Sequence, residues 1–551
     1  MKNAFARAVV AVTALVSASA MAQTTARPAA AATPAFDVLE FVVEGNTLLA
    51  PELVEKVLSP YMGPGKTFKD IEAARNALEK SFQEAGYLSV LVNLPNQKVS
   101  DGEVRIEVNE ASVAQFKVTG AQYHLPSRIR EAVPSLAEGS VPLFPQVQKE
   151  LGDVQTRDLQ ITPIVGSSED GAAVEVELKV QDEAPLHGSV EINNVQNFNT
   201  SQGRVSAGLN YSNLFQRGHS LGFFWQYAPN RPTDGNSLST IYSLPLNPRD
   251  TLLGAFTISD SETPSNVGTS SGPTATITKG QIYSLLWMHQ LNSRGWPVQH
   301  DMFLGLDYRN NKDANRYAQG FTTAKPPLRY PLLSAGYNLN KKGSSNSVFS
   351  LNTSVKVSSD GLAGRMVNCD GVERDQFECR RKGGSADFMA LRLGMAYEQS
   401  LGKWRLKSEF ERQVASAPLP SADQYSLGGI ETVRGYYDDE QSGDEGWRAR
   451  LELHTPTWLT LGDAQFTALA FLDRGDVHFM DAQATQLTYM HLGSSGLGLR
   501  VDGDKGLSVR LDAARPIFST QRVVDGGQRA YASGPKAGRG VRWHFSLRQS
   551  F

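Results

Sequence analysis

The sequence has no surplus of positive charge: 54 Lys and Arg stand against 57 Asp and Glu, a formal net charge of −3. A nucleic-acid partner therefore has no electrostatic support, because phosphate binding rests on clustered cations. Cysteine is almost missing, with only Cys369 and Cys379 in 551 residues. In an exported chain two such close thiols predict one loop-closing disulfide, and no clustered His or Cys supplies the further donors a metal would need. Beyond the N-terminus no apolar run is long enough for a helical span, so any membrane role requires a barrel. A mean hydropathy of −0.32 is compatible with that, since half of each barrel strand is polar. The P-loop pattern is missing, and Gly496-Leu497-Gly498 lacks the rest of a dinucleotide fingerprint, so no cofactor is expected.

What is present begins with Lys2 and Arg7, the apolar run Ala8 to Val16, and small residues up to Ala22. Residues 1–22 are predicted to be a cleaved signal peptide and 23–35, rich in Ala, Thr and Pro, a flexible leader. Two similar α+β units are then expected, over 36–109 and 110–184. The first reads as a strand Phe36 to Val43, a turn at Gly45-Asn46, and a short helix around Leu53 to Leu58. A longer helix follows, capped by Thr67 and Asp70 and ended by Gly86, and then two strands, Ser89 to Leu94 and Val104 to Val108. The same order recurs from Val113 to Val180, where Val174, Val176, Leu178 and Val180 alternate with Glu175, Glu177 and Lys179.

From 185 to 551 the texture changes to segments of about ten residues alternating with period two. Trp447, Ala449, Leu451 and Leu453 alternate with Arg448, Arg450, Glu452 and His454, and Leu507, Val509 and Leu511 with Ser508, Arg510 and Asp512. About sixteen such segments, joined by alternately short and long connectors, predict a closed 16-stranded antiparallel transmembrane β-barrel. On this count residues 414 to 445 form the sixth external loop, the cysteines lie in the fifth, and Asp473 sits on the thirteenth strand. The final strand places Val541, Trp543, Phe545, Leu547 and Phe551 on one face. Its terminal aromatic resembles the signal by which barrels are recognised for outer-membrane insertion.

Three stretches in the first unit, Glu44-Gly45-Asn46-Thr47-Leu48-Leu49, Ala85-Gly86-Tyr87 and Val99-Ser100-Asp101-Gly102, resemble the first POTRA repeat of the two-partner secretion transporters, the TpsB family. Relatives there include haemolysin and filamentous-haemagglutinin exporters. In the barrel, Val433-Arg434-Gly435-Tyr436 resembles the family's sixth-loop tip, and Phe471-Leu472-Asp473-Arg474-Gly475 its strand motif. The resemblance spans almost the whole mature chain. It implies an outer-membrane pore whose POTRA repeats, in the periplasm, bind an unfolded exoprotein, and whose sixth loop folds back so that Arg434 pairs with Asp473. The implied partners are a large secreted adhesin, haemolysin or toxin, outer-membrane lipid, and the periplasmic chaperones and barrel assembly machinery used in biogenesis. Folding of the emerging exoprotein outside would help make passage one-way. Some relatives carry a plug helix before the first repeat, and the Ala/Pro/Thr-rich residues ahead of Phe36 lack the pattern for one.

Two other functions compete. A barrel assembly factor of the same superfamily would share the modules and the loop arginine, but such factors usually carry more than two repeats. An esterase would rest on Gly218-His219-Ser220-Leu221-Gly222, yet this segment falls at a short turn between strands, where a nucleophile elbow needs strand, sharp turn and helix. No catalytic residue is assigned.

Overall fold

The computed structural model describes residues 35–551 apart from 100, 169–172, 198–199, 260–264, 268–274, 278–279, 292–297, 313, 317–321, 325, 344–345, 483–486, 524–528 and 539. The predicted signal peptide, all but the last residue of the leader, and Ser100 lie outside the described residues.

Helix Phe68–Ala85 organises the first unit. Asp70 accepts the Thr67 backbone N–H at 2.7 Å, which holds its carboxyl below the ordinary range, and Gly86 ends the helix at φ +100°. Its buried face, Ala74, Leu78 and Phe82, packs on Val90, Val92, Ile106 and Val108, the alternate residues of strands Val90–Asn93 and Glu103–Glu110. The expected single strand Phe36 to Val43 is in fact two. Phe36–Val38 pairs with Gly63–Lys66, whereas Glu40–Glu44 runs parallel to Glu103–Glu110. The chain changes partner at Leu39, where the N–H groups of Leu39 and Glu40 both donate to the carbonyl of Gly102.

One turn device occurs twice. Gly45 (φ +85°) and Gly120 (φ +82°) lie so close to a neighbouring strand that an added Cβ would sit 2.3 Å from the Val108 carbonyl and 2.4 Å from that of Val180. The acidic residue that ends that strand then caps the loop after the glycine: Glu110 accepts the N–H groups of Thr47 and Leu48, and Asp182 those of Gln122, Tyr123 and His124. Burial alone would raise the Asp182 carboxyl, but these donors prevail and hold it below the usual range. That cap is therefore complete at neutral pH and is lost as pH falls through the lowered value. Strands Val113–Thr119, Val174–Asp182 and Leu159–Ser167 form the second three-stranded sheet in that order.

From Leu186 onward sixteen spanning strands close a barrel in which every neighbouring pair is antiparallel, as the alternation predicts. The first is Leu186–Asn193 and the seventh and eighth are Val298–Asn311 and Leu328–Lys342. The tenth and eleventh are Phe388–Leu401 and Trp404–Ala415, the twelfth Glu445–His454 and the thirteenth Ala464–His478. Tyr489–Gly503, Leu507–Pro516 and Arg542–Ser550 complete the wall. A further three-residue piece, Leu459–Leu461, pairs within the turn before the thirteenth. Among the described residues no helix is long and apolar enough to cross a membrane, which says nothing of strands.

Leu304, Leu306, Leu451, Leu453, Leu472 and Leu497 point outward and are exposed, while Arg450, His454, Asp473 and Asp512 point inward and are buried. A one-residue slip would exchange these faces, so burial of one side fixes the register. Trp543 lies outward and exposed on the last strand, with Phe545 and Leu547 on the same face. Phe551 exchanges backbone hydrogen bonds with Gly188, at 2.9 and 3.0 Å, and lays its ring where a Gly188 Cβ would be.

The fifth loop, between Ser358 and Phe388, carries the bonded pair Cys369 and Cys379 and the short helix Gln376–Arg380. Phe377 of that helix is buried against Tyr330 and Phe388. In chain-entropy terms a crosslink of this span contributes about 2–3 kcal/mol, felt locally because the barrel wall does not depend on it. Replacing both cysteines with serine is expected to speed tryptic cleavage after Arg374 and Arg380 several-fold while the heat-modifiable gel migration of the folded barrel is retained. Unchanged cleavage would show that Phe377 alone holds the loop.

Candidate functional site: the sixth loop inside the barrel

The connection between the eleventh and twelfth strands folds inward. Its limbs Tyr425–Leu427 and Gln441–Gly443 pair with each other, and its tip enters the ionic interior. Val433 leads the tip into an apolar nest of Tyr425, Leu427, Tyr436, Val477 and Leu492. Gly435 turns it at φ +91°, with Pro516 and Ala514 so near that a Cβ would meet them at 3.3 and 3.4 Å.

Arg434 is fully buried between these two residues. Its Nε and Nη2 donate to the two carboxylate oxygens of Asp473 at 2.7 Å each, and its backbone N–H adds a third bond at 3.1 Å. This is the forked geometry that a guanidinium provides and an ammonium does not. Nη1 lies 2.7 Å from Glu452, out of line for a hydrogen bond, and 3.6 Å from Asp512. The guanidinium carbon sits 3.5 Å above the centre of the Phe471 ring. The strand motif thus has a physical meaning. Phe471 is the floor, Asp473 the partner, and Gly475 leaves the space that Leu427 of the loop fills, since a Cβ there would meet its Cδ1 at 2.8 Å.

Surrounding arginines hold the rest of the loop. Arg510 donates to the Ile430 carbonyl at 2.9 Å, and Arg448 and Arg450 to that of Glu431 at 2.8 and 3.2 Å. Asp512 is occupied by Arg500 and Arg510. The Tyr436 hydroxyl lies 2.9 Å from the carbonyls of both Gly493 and Phe518.

Two further buried carboxylates secure the limbs. Asp423 takes Arg309 of the seventh strand at 2.7 Å and the Tyr330 hydroxyl of the eighth at 2.6 Å. Asp444 takes both Nη groups of Arg381, from the fifth loop, and the N–H groups of Leu419 and Met480 at 2.8 Å each.

The structure brings Val433, Arg434, Gly435, Tyr436, Phe471, Asp473 and Gly475 into one cluster. The cysteines lie in the fifth loop, and Trp543, Phe545, Leu547 and Phe551 on the last strand. Asp423, Asp444, Arg381 and His544 carried no motif; the alternation placed Arg448, Arg450, Glu452, Arg510 and Asp512 on the ionic face without pairing them with the loop. Among the described residues no group of three or more His, Cys, Asp or Glu is arranged to hold a metal. Ser220 lies within strand His219–Tyr227, opposite Ser243, with no helix following the turn.

Residues 173–501 match the family described as haemolysin secretion/activation protein ShlB/FhaC/HecB, and residues 36–111 the POTRA domain of ShlB type. The chain is 24% identical over 473 residues to the outer membrane transporter CdiB of Escherichia coli, covering 81% of this chain and 73% of that protein. Among solved structures, CdiB from Escherichia coli superposes with a TM-score of 0.61 at 19% identity, covering 96% of this chain and 93% of the other. BamA from Haemophilus ducreyi, lacking POTRA domains 1–3, gives 0.53 at 14% identity, over 94% of this chain and 100% of that one, a likeness of fold alone.

Proposed function

The chain belongs to the haemolysin secretion/activation protein family, and on that premise we propose how its parts carry out two-partner secretion. It is an outer-membrane translocation pore for a secreted exoprotein, with the POTRA modules in the periplasm. The buried fork between Arg434 and Asp473 carries the reading of mechanism. It holds the sixth loop across the conduit in the resting state, and the loop is released when cargo enters. A carboxylate and a guanidinium this deeply buried favour two discrete arrangements, paired or withdrawn into water, over intermediate ones.

The modules at 36–109 and 110–184 supply recognition. An extended segment of the cargo adds to a sheet edge, where backbone bonds give affinity and side-chain pockets give choice. The cargo is a large exoprotein of adhesin, haemolysin or toxin type. Outer-membrane lipid meets the apolar face, and chaperones and the assembly machinery read the terminal strand with Trp543, Phe545, Leu547 and Phe551.

Co-expression with a large exported protein encoded beside this chain, where the genome carries one, tests the reading, the cargo being sought in the medium. Deleting residues 36–108 is expected to abolish its appearance there while ion conductance through the purified pore persists. Export by the deletion variant would remove the docking role.

A further inference from the structure

The last strand pairs with the first from Ser550↔Ser189 up to Ser546↔Asn193, and there the ladder ends. Just beyond it, the tip of the sixth loop touches both sides of the seam. Toward the first strand, the Asp438 N–H donates to the Gln196 carbonyl at 3.0 Å, and the Gln196 N–H donates to the Asp438 carboxylate at 3.1 Å. Asn197 adds a bond to Asp439 at 3.2 Å. Toward the last strand, the Gly435 N–H donates to His544 Nε2 at 2.8 Å, and Arg542 lies 4.0 Å from the centre of the Tyr437 ring. Arg542 also donates to the Gln196 side chain at 3.3 Å, which closes the circuit.

We propose that His544 is a positioning residue for the tether: by accepting the Gly435 N–H it seats the loop tip across the seam and fixes Arg434 over Asp473. The donor belongs to the residue next to Arg434, so this bond sets the backbone from which the guanidinium extends. Gly435 and His544 are both buried, where a backbone N–H without a partner is unfavourable. The acceptor must be the Nε2 lone pair, so the imidazole is the neutral tautomer protonated at Nδ1.

The bond between Arg434 and Gly435 is itself the probe, because trypsin cuts there only when the tip leaves its seat. In the detergent-purified full chain, His544→Phe is expected to raise cleavage at this bond roughly tenfold, the change that loss of one buried hydrogen bond gives. His544→Gln, whose amide oxygen can accept the same N–H, is expected to restore the slow wild-type rate. Equal rates in all three proteins would overturn the proposal, as would a glutamine variant as fast as the phenylalanine one. A second measurement leaves the strand unaltered, should the aromatic variant fail to fold. Diethyl pyrocarbonate is expected to modify His544 slowly in the wild type and quickly in Arg434→Ala. Modification in the wild type as fast as at His491, whose side chain is 53% exposed, would equally sink it. The proposal rests on the sixth loop acting as the tether, but both readouts need no cargo. A secreting Arg434 variant would defeat the transport reading and leave them standing.

Discussion

Replacing Arg434 with alanine is expected to reduce export of the partner by roughly tenfold or more, while the folded barrel still reaches the outer membrane. The reason is what the substitution leaves behind. Asp473 is fully buried, and with Arg434 gone its nearest cation is Arg450, whose Nε lies 3.7 Å away. Breaking one side of a buried ion pair costs about 3–5 kcal/mol, and the loop lowers that cost by moving so that water can reach the carboxylate. Removing Asp473 instead leaves Arg434 beside Glu452 at 2.7 Å and Asp512 at 3.6 Å, so the arginine keeps negative neighbours. The alanine variant of Arg434 should therefore free the loop more than that of Asp473, and the double variant should fall short of the sum because the two act as one unit. Arg434→Lys should resemble alanine more than wild type, since an ammonium lacks the planar fork whose two nitrogens each meet one carboxylate oxygen in line. The measurement is cargo in the medium by immunoblot, with heat-modifiable migration as the check on folding. Normal secretion by both single variants would remove the tether.

Asp444→Ala should open the outer mouth. This carboxylate is where three loops meet: Arg381 from the fifth, Leu419 and Gln424 from the sixth, and Met480 at the start of the seventh. Arg381 also donates to the carbonyls of Leu419 and Met480, so the guanidinium keeps some bonds but loses the carboxylate it pairs with. A loss of about 3 kcal/mol across that junction is expected, discounted for the partial exposure of Arg381. Cells carrying the variant should take up antibiotics too large for ordinary porins, and the purified pore should show more frequent large-conductance openings. Asp444→Asn, whose single amide oxygen can still accept one of the Leu419 and Met480 N–H groups, should leak less. Barrier function equal to wild type in both would show that the Phe377 cluster alone closes the mouth.

Much of this architecture is legible in residue order because a barrel repeats one instruction. A strand with lipid outside and water inside must alternate, so Leu451 and Glu452 announce their faces without tertiary information. The two motifs of the tether could be assigned to the sixth loop and thirteenth strand by counting connectors. The partner change at Leu39 could not be read, because the mostly apolar stretch from Phe36 to Val43 has no break at Leu39 and the switch is made by backbone hydrogen bonds to Gly102. Nor could the carboxylates at Asp423 and Asp444. In sequence they are acidic residues in a polar loop, and only closure of the wall brings Arg309 and Arg381 to them. Gly496 and Gly498 form no complete motif in the sequence, and Gly493 carries none. In the structure they clear room on the fourteenth strand, where added Cβ atoms would strike Phe518, Phe471 and Asp512.

The first and sixteenth strands, the furthest apart in chain order, meet only at closure. The cylinder closes only when the sixteenth strand pairs with the first, so a sheet of fewer strands is not a shorter version of it. Before that pairing, a growing sheet carries two bare margins whose amide and carbonyl groups would pair with any neighbouring strand. Delivery across the periplasm must therefore be of an open chain kept from premature pairing. A truncation that removes strand Arg542–Ser550 is a defect of closure before it is one of stability.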